Sequence, residues 1–111
     1  MLTLAGSTRV FAALGVTDMR KSFDTLAELA RTVVGEDPQS GHLFVFCNRS
    51  RTRLKVLYFD RGGWWLVSRR LERGTFGWPK ASASSTRRLE MQSEDLILLL
   101  NGLDPSRFVR R

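Results

Sequence analysis

The stretch RLKVLYFDRGGWWLVS, residues 53–68, decides the fold. Two runs rich in aliphatic and aromatic residues flank the link Asp60-Arg61-Gly62-Gly63, and its paired glycines tolerate the positive φ of a tight turn. The stretch therefore predicts a β-hairpin with strands over Arg53–Phe59 and Trp64–Ser68.

The first strand of this hairpin has two unlike faces, because successive side chains of a strand point to opposite sides. Leu54, Val56 and Tyr58 form an apolar face, which we expect to lie on the first helix of the chain. The other face begins with Arg53 and Lys55, and we expect it to face solvent or a partner.

Toward the N-terminus the sequence predicts two more strands. His42–Cys47 is joined to the hairpin through the link Asn48–Thr52, so three consecutive strands form an antiparallel meander. Asp37–Gly41 before it has the composition of a turn, with Pro38 fixing φ. Arg9–Leu14 is a further short strand.

A helix is predicted between these two strands, over Ser22–Val34. Thr17 or Asp18 is expected to cap its first turn, and Gly35 is expected to end it in the left-handed region. Its apolar residues recur at the spacing of one helix face: Phe23, Leu26, Ala27, Ala30, Val33 and Val34.

The pattern after the hairpin is weaker. Arg69–Trp78 is a basic segment that we expect to open with a turn and to end as a short strand before Pro79. Lys80–Arg88 is small and polar, as in a mobile loop. Ser93 is expected to cap a short helix whose body is Leu96–Leu100.

These elements give an α+β fold class: an antiparallel β-meander with one long helix packed on one face and a short C-terminal helix. A chain of 111 residues, 42% of them apolar, is large enough for one such domain without disulfides or metal. We place a single domain at residues 1–104 and a basic tail at residues 105–111. The single cysteine excludes an internal disulfide, and no apolar run is long enough to span a membrane.

Positive charge is concentrated between Arg49 and Arg73, a stretch with eight basic and two acidic residues. Fifteen of the 18 basic residues are arginine, whose planar fork of donors fits phosphate. A local field of this kind is typical of a surface that meets a polyanion such as nucleic acid. GC-rich coding and an ordinary solvated surface are the alternative explanations.

The candidate nucleic-acid contacts come from this stretch and from the start of the predicted helix. At the start of the helix the basic pair is Arg20-Lys21, and the alternative role of Arg20 is an ion pair with Asp24. Trp64 and Trp65 can stack on unpaired bases or, as is more common, pack across the strands. The candidates are Arg49, Arg51, Arg53, Lys55, Arg69, Arg70 and Arg73, with Arg20 and Lys21.

The sequence predicts no catalytic centre, no metal site and no cofactor. A two-metal site for phosphoryl transfer needs several carboxylates, and the acidic residues of this chain show no metal-ligand spacing. His42 and Cys47 cannot complete a zinc site, so we expect both to be structural. Asp60 is expected to open the hairpin turn.

Four segments, in order, resemble the signatures of one bacterial family. Thr17–Leu26 resembles TDMRKGFDGL, Asp37–Phe46 resembles DPFSGHLFVF, Arg53–Asp60 resembles RIKVLYWD and Arg70–Pro79 resembles KRLERGRFRWP. The family is the small accessory protein, product of the second reading frame and often called TnpB, of insertion-sequence-sixty-six-type transposons. Ser22 and Phe59 stand where Gly and Trp are common.

The resemblance implies a non-enzymatic accessory role in DNA transposition beside a separate, larger transposase, and it supplies no catalytic residues. We therefore expect a bacterial, cytoplasmic, nucleoid-associated protein that contacts DNA at transposon ends, and the element-encoded transposase, through its arginine-rich face. The alternative is a protein–protein adaptor that docks on the transposase without binding DNA itself. The sequence leaves the oligomeric state open, as it does the choice among duplex, single strand and RNA.

Overall fold

The computed structural model describes residues 7–80 and 87–102 of the chain. Its strands are β1 (Val10–Ala13), β2 (Leu43–Cys47), β3 (Arg53–Asp60), β4 (Gly63–Arg70) and β5 (Arg88–Met91). They form one sheet in the order β4-β3-β2-β1-β5. β1 runs parallel to β2, whereas every other neighbouring pair is antiparallel. The predicted meander is therefore only the β2–β3–β4 part of a larger mixed sheet.

β3 and β4 form the predicted hairpin, with Asp60 opposite Gly63. The turn residues are Arg61 and Gly62, with φ of 50° and 78°, as a type I′ turn requires. The predicted link Asp60–Gly63 is therefore the observed turn and Asp60 opens it, but the two residues with positive φ lie one position before the predicted glycine pair. β4 continues to Arg70, so the turn predicted directly after Ser68 is wrong.

The first helix is shorter than predicted in its α-helical part. α1 covers the seven residues Phe23–Leu29, and a π-helical turn continues it over Ala30–Val34. Gly35 ends this segment at a φ of 79°, and its N–H donates to the Ala30 carbonyl five residues back at 2.9 Å. The predicted end of the helix is therefore confirmed, but "one long helix" overstates it.

The cap of α1 differs from the prediction. Ser22 is the N-cap, and its backbone N–H donates to Thr25 Oγ1 at 3.1 Å. Thr17 does not cap the helix, because α1 begins only at Phe23; the Thr17 N–H bonds to the Cys47 carbonyl at the end of β2. Asp18 does not cap it either; its carboxylate binds Arg20 instead.

Each face of the sheet carries its own apolar cluster. Leu26, Ala27 and Ala30 of the first helix pack on the face that carries Phe11, Phe44, Phe46 and Leu57. The second helix, α2 (Ser93–Leu100), and the segment with Phe76 and Trp78 cover the opposite face. Leu54 and Val56 point to this second cluster. The prediction that their face meets the first helix is therefore wrong, and the face with Lys55 and Leu57 lies there instead.

The C-terminal part departs from the prediction in three places. Gln92, not Ser93, is the N-cap of α2, and its N–H donates to Asp95 Oδ2 at 3.3 Å. The residues before Pro79 form no strand, and β5 is a strand that the sequence pattern did not predict. The tail predicted at residues 105–111 and most of the loop before β5 lie outside the described residues. None of the described helices is long and apolar enough to cross a membrane.

Candidate nucleic-acid interface

The topology brings the basic segments of the chain to one end of the sheet. Because β1 and β2 are parallel and their other neighbours antiparallel, β1, β2 and β4 end where β3 and β5 begin. We call this the arginine end and define it as residues 14–22, 48–53 and 69–73. Eight of the nine candidate residues lie there: Arg20, Lys21, Arg49, Arg51, Arg53, Arg69, Arg70 and Arg73.

The turn between β2 and β3 is organised by Asn48, a residue that the sequence analysis did not single out. Its Oδ1 accepts the backbone N–H groups of Thr52 at 2.9 Å and Arg53 at 3.0 Å. Its Nδ2 also reaches the hydroxyls of Ser50 and Thr52, both at 3.3 Å. An Asn that opens a turn and bonds its own backbone is a recognisable local pattern, so the sequence did contain this signal.

Two bonds from the following segment fix the same turn from outside. The Phe76 N–H donates to the Arg51 carbonyl at 2.7 Å, and the Leu71 N–H donates to the Thr52 carbonyl at 2.8 Å. Phe76 is fully buried, so the core anchors this contact. Arg51 has a φ of 59°, the left-handed region in which a non-glycine residue is uncommon. The turn is thus held in one conformation, which limits the positions available to its arginines.

An open groove of about 510 Å³ lies between this turn and the loop that precedes α1. Val16 and Met19 contribute apolar lining, and Arg20, Arg49 and Arg53 contribute guanidinium groups. The groove also contains Asp18, which accepts an Arg20 Nη2 hydrogen bond at 2.6 Å and the Arg20 backbone N–H at 2.9 Å. These two bonds hold the pKa of Asp18 well below its ordinary value, and the same pair raises the pKa of Arg20. Arg20 therefore pairs with Asp18 and not with Asp24.

Two arginines of the arginine end face each other across neighbouring strands. Arg53 on β3 is directly opposite Arg70 on β4. Directly opposed like charges destabilise a sheet unless a counter-charge lies near. Glu72 supplies this counter-charge, since its Oε2 lies 2.9 Å from Arg70 Nε and both side chains are exposed. Within residues 7–80 and 87–102, no carboxylate forms an ion pair with any of five arginines, namely Arg49, Arg51, Arg53, Arg69 and Arg73.

Lys55 is held differently from these arginines. Its Nζ donates to the backbone carbonyls of Met19 and Lys21, both at 2.8 Å. The ammonium therefore ties β3 to the loop that leads into α1, and its donors are directed into the protein. We do not carry Lys55 into the set of phosphate contacts proposed below. Lys21 is half-buried, and its carbonyl is one of the two acceptors.

The two neighbouring tryptophans have different environments. Trp64 packs edge-on against Phe59, with ring centroids 4.9 Å apart, and joins the cluster under α1. Trp65 points to the other face and is 56% exposed. Trp64 thus has the packing role that is common for such residues, and Trp65 is the one available to a partner. Trp78 is buried with Phe76.

The histidine and the cysteine of the chain have structural positions. His42 accepts the Arg9 N–H through Nδ1 at 3.0 Å, and Cys47 is fully buried, which raises its pKa to about 11. An exposed ion pair joins Arg9 to Glu90 at 2.7 Å. The described part of the chain contains no group of three or more metal-ligating side chains.

Residues 8–110 match the family model described as IS66 Orf2 like protein. The chain belongs to this family. It is 39% identical to the protein y4hO of Sinorhizobium fredii (strain NBRC 101917 / NGR234) over 104 residues, which are 94% of this chain and 88% of that protein. It is 32% identical to the protein y4jC of the same strain over 103 residues, which are 93% of this chain and 86% of that protein. No solved structure matches.

Membership in the IS66 Orf2-like family gives the chain a transposition-associated accessory role. The family is not a known enzyme class. Both relatives bear the description "uncharacterized", so their names add no ligand or partner. The resemblance seen in the four sequence motifs is therefore confirmed at the level of the family.

Proposed function

We propose that this IS66 Orf2-like protein acts in transposition by contacting DNA phosphates through its arginine end. The observation that carries the proposal is the group of five arginines there that have no carboxylate partner among the described residues. Exposed guanidinium groups without internal partners remain available to phosphate oxygens, which they bind in a bidentate manner.

The arrangement of Arg53 and Arg70 supports the same proposal. A phosphate placed between two opposed guanidinium groups removes their mutual repulsion and receives donors from both. Arg49 and Arg51 lie on a turn that Asn48 and Phe76 hold in place, so binding would order few additional backbone groups. The set of proposed contacts is Arg49, Arg51, Arg53, Arg69, Arg70 and Arg73, with Arg20 and Lys21 at the margin of the groove.

A salt series tests this proposal. Five phosphate contacts predict that log K falls with log salt with a slope of about −4 to −5. Phosphate contacts carry no sequence information, so a duplex with the terminal inverted repeat and a scrambled duplex should give the same slope. A preference for transposon ends would appear as a ratio of the two affinities. Absence of binding at low salt, or a slope near zero, would contradict the proposal.

Charge reversal separates local contacts from the net charge of the protein. Arg49→Glu with Arg53→Glu should abolish binding, because both residues are exposed at the arginine end. The control is Arg61→Asp with Lys80→Glu, which changes the net charge equally at exposed positions outside the arginine end; aspartate tolerates the positive φ at position 61. If both pairs weaken binding alike, the effect is one of net charge and the proposed site is wrong.

The groove favours a second candidate function, that of an adaptor for the transposase. Val16 is 57% exposed and lies beside Met19 in a groove rimmed by arginines. Such a groove suits a peptide with an apolar anchor and acidic neighbours. A pull-down of the element's transposase from nuclease-treated lysate tests this function. Survival of the complex favours the adaptor, and its loss after nuclease treatment favours contact through DNA.

A further inference from the structure

β4 is an edge strand of unusual length and composition for an open edge. It pairs with β3 on one side, and no described residue pairs with the other side. Its eight residues include the exposed Trp65 and carry no acidic side chain. Long apolar edge strands are templates for pairing with another strand, and proteins commonly shorten, charge or cover them.

A hydrogen bond beyond the end of β4 shows which backbone groups point outward. The Leu71 N–H bonds to the Thr52 carbonyl, so these two residues form a hydrogen-bonded antiparallel pair. Hydrogen-bonded and non-hydrogen-bonded pairs alternate along such a ladder. The odd-numbered residues of β4 therefore bond to β3. The N–H and C=O groups of Trp64, Leu66, Ser68 and Arg70 point away from the sheet.

We propose that β4 pairs with β4 of a second copy of this chain, antiparallel and around a twofold axis at Val67. In this register Leu66 and Ser68 of the two copies exchange hydrogen bonds, and Trp64 pairs with Arg70 of the second copy. Trp65 is opposite Arg69 of the second copy, in a non-hydrogen-bonded pair, where side chains approach most closely. All outward backbone groups of β4 are then paired.

Charge and aromatic character select this register over its neighbours. It gives one tryptophan–arginine cation–π contact on each side of the axis, between the exposed Trp65 and Arg69 of the second copy. An axis at Leu66 would place Arg69 opposite Gly63 and lose both contacts. An axis at Ser68 would place Arg69 opposite Val67 and lose them as well. The chain is thus self-complementary at one twofold register, as a closed dimer requires.

The dimer does not depend on the proposed DNA contact, and it is compatible with it. An arginine that stacks its plane on an indole keeps its in-plane N–H donors free for phosphate. Arg69 forms no ion pair with a carboxylate of the described residues, and in the dimer it gains an aromatic partner, Trp65 of the second copy. A DNA-binding assay and a self-association assay therefore test the two proposals separately, and either proposal can be refuted without the other.

Cysteine cross-linking tests the axis. In the proposed register Val67 is opposite its own copy in a non-hydrogen-bonded pair, whose Cα separation suits a disulfide. Val67→Cys should therefore form a covalent dimer under mild oxidation. Ser68→Cys is the matched control, because Ser68 is opposite Leu66 and more exposed than Val67. The native Cys47 is buried and does not compete. Equal or stronger cross-linking of Ser68→Cys would overturn the register.

Charge exchange tests the tryptophan–arginine pair in solution. Sedimentation of the wild-type protein across a concentration series should show a dimer, and Trp65→Lys should shift it to the monomer by placing lysine opposite arginine. Trp65→Lys with Arg69→Glu should restore the dimer. Circular dichroism confirms that each variant is folded. The proposal is overturned if the wild-type protein is a monomer at every concentration. It is also overturned if the double variant is folded but stays monomeric.

Discussion

Replacing Lys55 by methionine tests the assignment of its ammonium to two backbone carbonyls. Met19 and Lys21 each accept a hydrogen bond of 2.8 Å from Nζ. Bonds to charged groups contribute about 1.5–3 kcal/mol each, but this side chain is half-exposed and water replaces part of the loss. We take about 1 kcal/mol for each bond. Methionine keeps the apolar stem of the side chain, so Lys55→Met should lower the free energy of unfolding by about 2 kcal/mol.

The control for this substitution is Arg53→Met, two residues earlier on the same face of β3. Arg53 is exposed and faces Arg70, so its loss should change stability by less than about 0.5 kcal/mol. Urea unfolding measures both stabilities, and DNA affinity across a salt series measures the contacts. Arg53→Met should reduce the magnitude of the salt slope by about 1, and Lys55→Met should leave it unchanged. A stable Lys55→Met protein with a reduced slope would refute the reasoning.

Three further predictions concern the turn, the groove and the core. Asn48→Ala should lower the free energy of unfolding, measured in urea, by about 1–3 kcal/mol and should weaken DNA binding. Asn48→Asp keeps the acceptor oxygen and should recover most of the lost stability. The pKa of Asp18 lies below its ordinary 3.8. The ionised carboxylate therefore stabilises the fold above pH 3.8, and this stabilisation is lost as the pH falls toward the lowered pKa. Carboxyl NMR should find a native midpoint below 3.8 that Arg20→Gln raises; a midpoint at or above 3.8 would contradict the ion pair. Burial raises the pKa of Cys47 to about 11, so thiol reagents at pH 8 should label it only in denaturant, and rapid labelling of the native protein would contradict its burial.

The hairpin could be predicted because its signal is local. A short link with two glycines between two apolar runs specifies a tight turn. The predicted link Asp60–Gly63 is that turn, and only the pair with positive φ differs, by one residue. β5 could not be found in this way, because four mostly exposed residues have no periodicity to read and their partner β1 is distant in the chain. The parallel pairing of β1 with β2 is equally non-local.

The packing of β3 could not be predicted because both faces of the sheet are covered. Alternation shows that Leu54 and Leu57 point to opposite sides, but it does not say which side carries the first helix. Lys55 does not mark a solvent-facing side of β3, since it is half-buried and its ammonium donates to two loop carbonyls. Long basic side chains can occupy a packed face when their charged end finds acceptors.

The candidate site depends on the same non-local features. The sequence places Arg49, Arg51 and Arg53 in one loop, which any strand assignment would have kept together. Arg20 joins them only because β1 and β2 run in parallel, and Arg70 is opposite Arg53 only because β4 extends past Ser68. The role of Asn48 could be predicted from the sequence, whereas the pairing of Arg20 with Asp18 depends on how the loop before α1 folds back on itself.

The most direct test of the arginine end compares Arg51, in the turn before β3, with Arg61, in the turn after it. Arg51 and Arg61 are both exposed, both have positive φ and lie at opposite ends of β3. Asparagine tolerates that conformation, so Arg51→Asn and Arg61→Asn remove the same charge at similar structural cost. The measurement is the salt dependence of duplex DNA affinity for both variants. Our account predicts that the slope of log K against log salt falls in magnitude by about 1 for Arg51→Asn and is unchanged for Arg61→Asn; equal slopes for the two variants would contradict it.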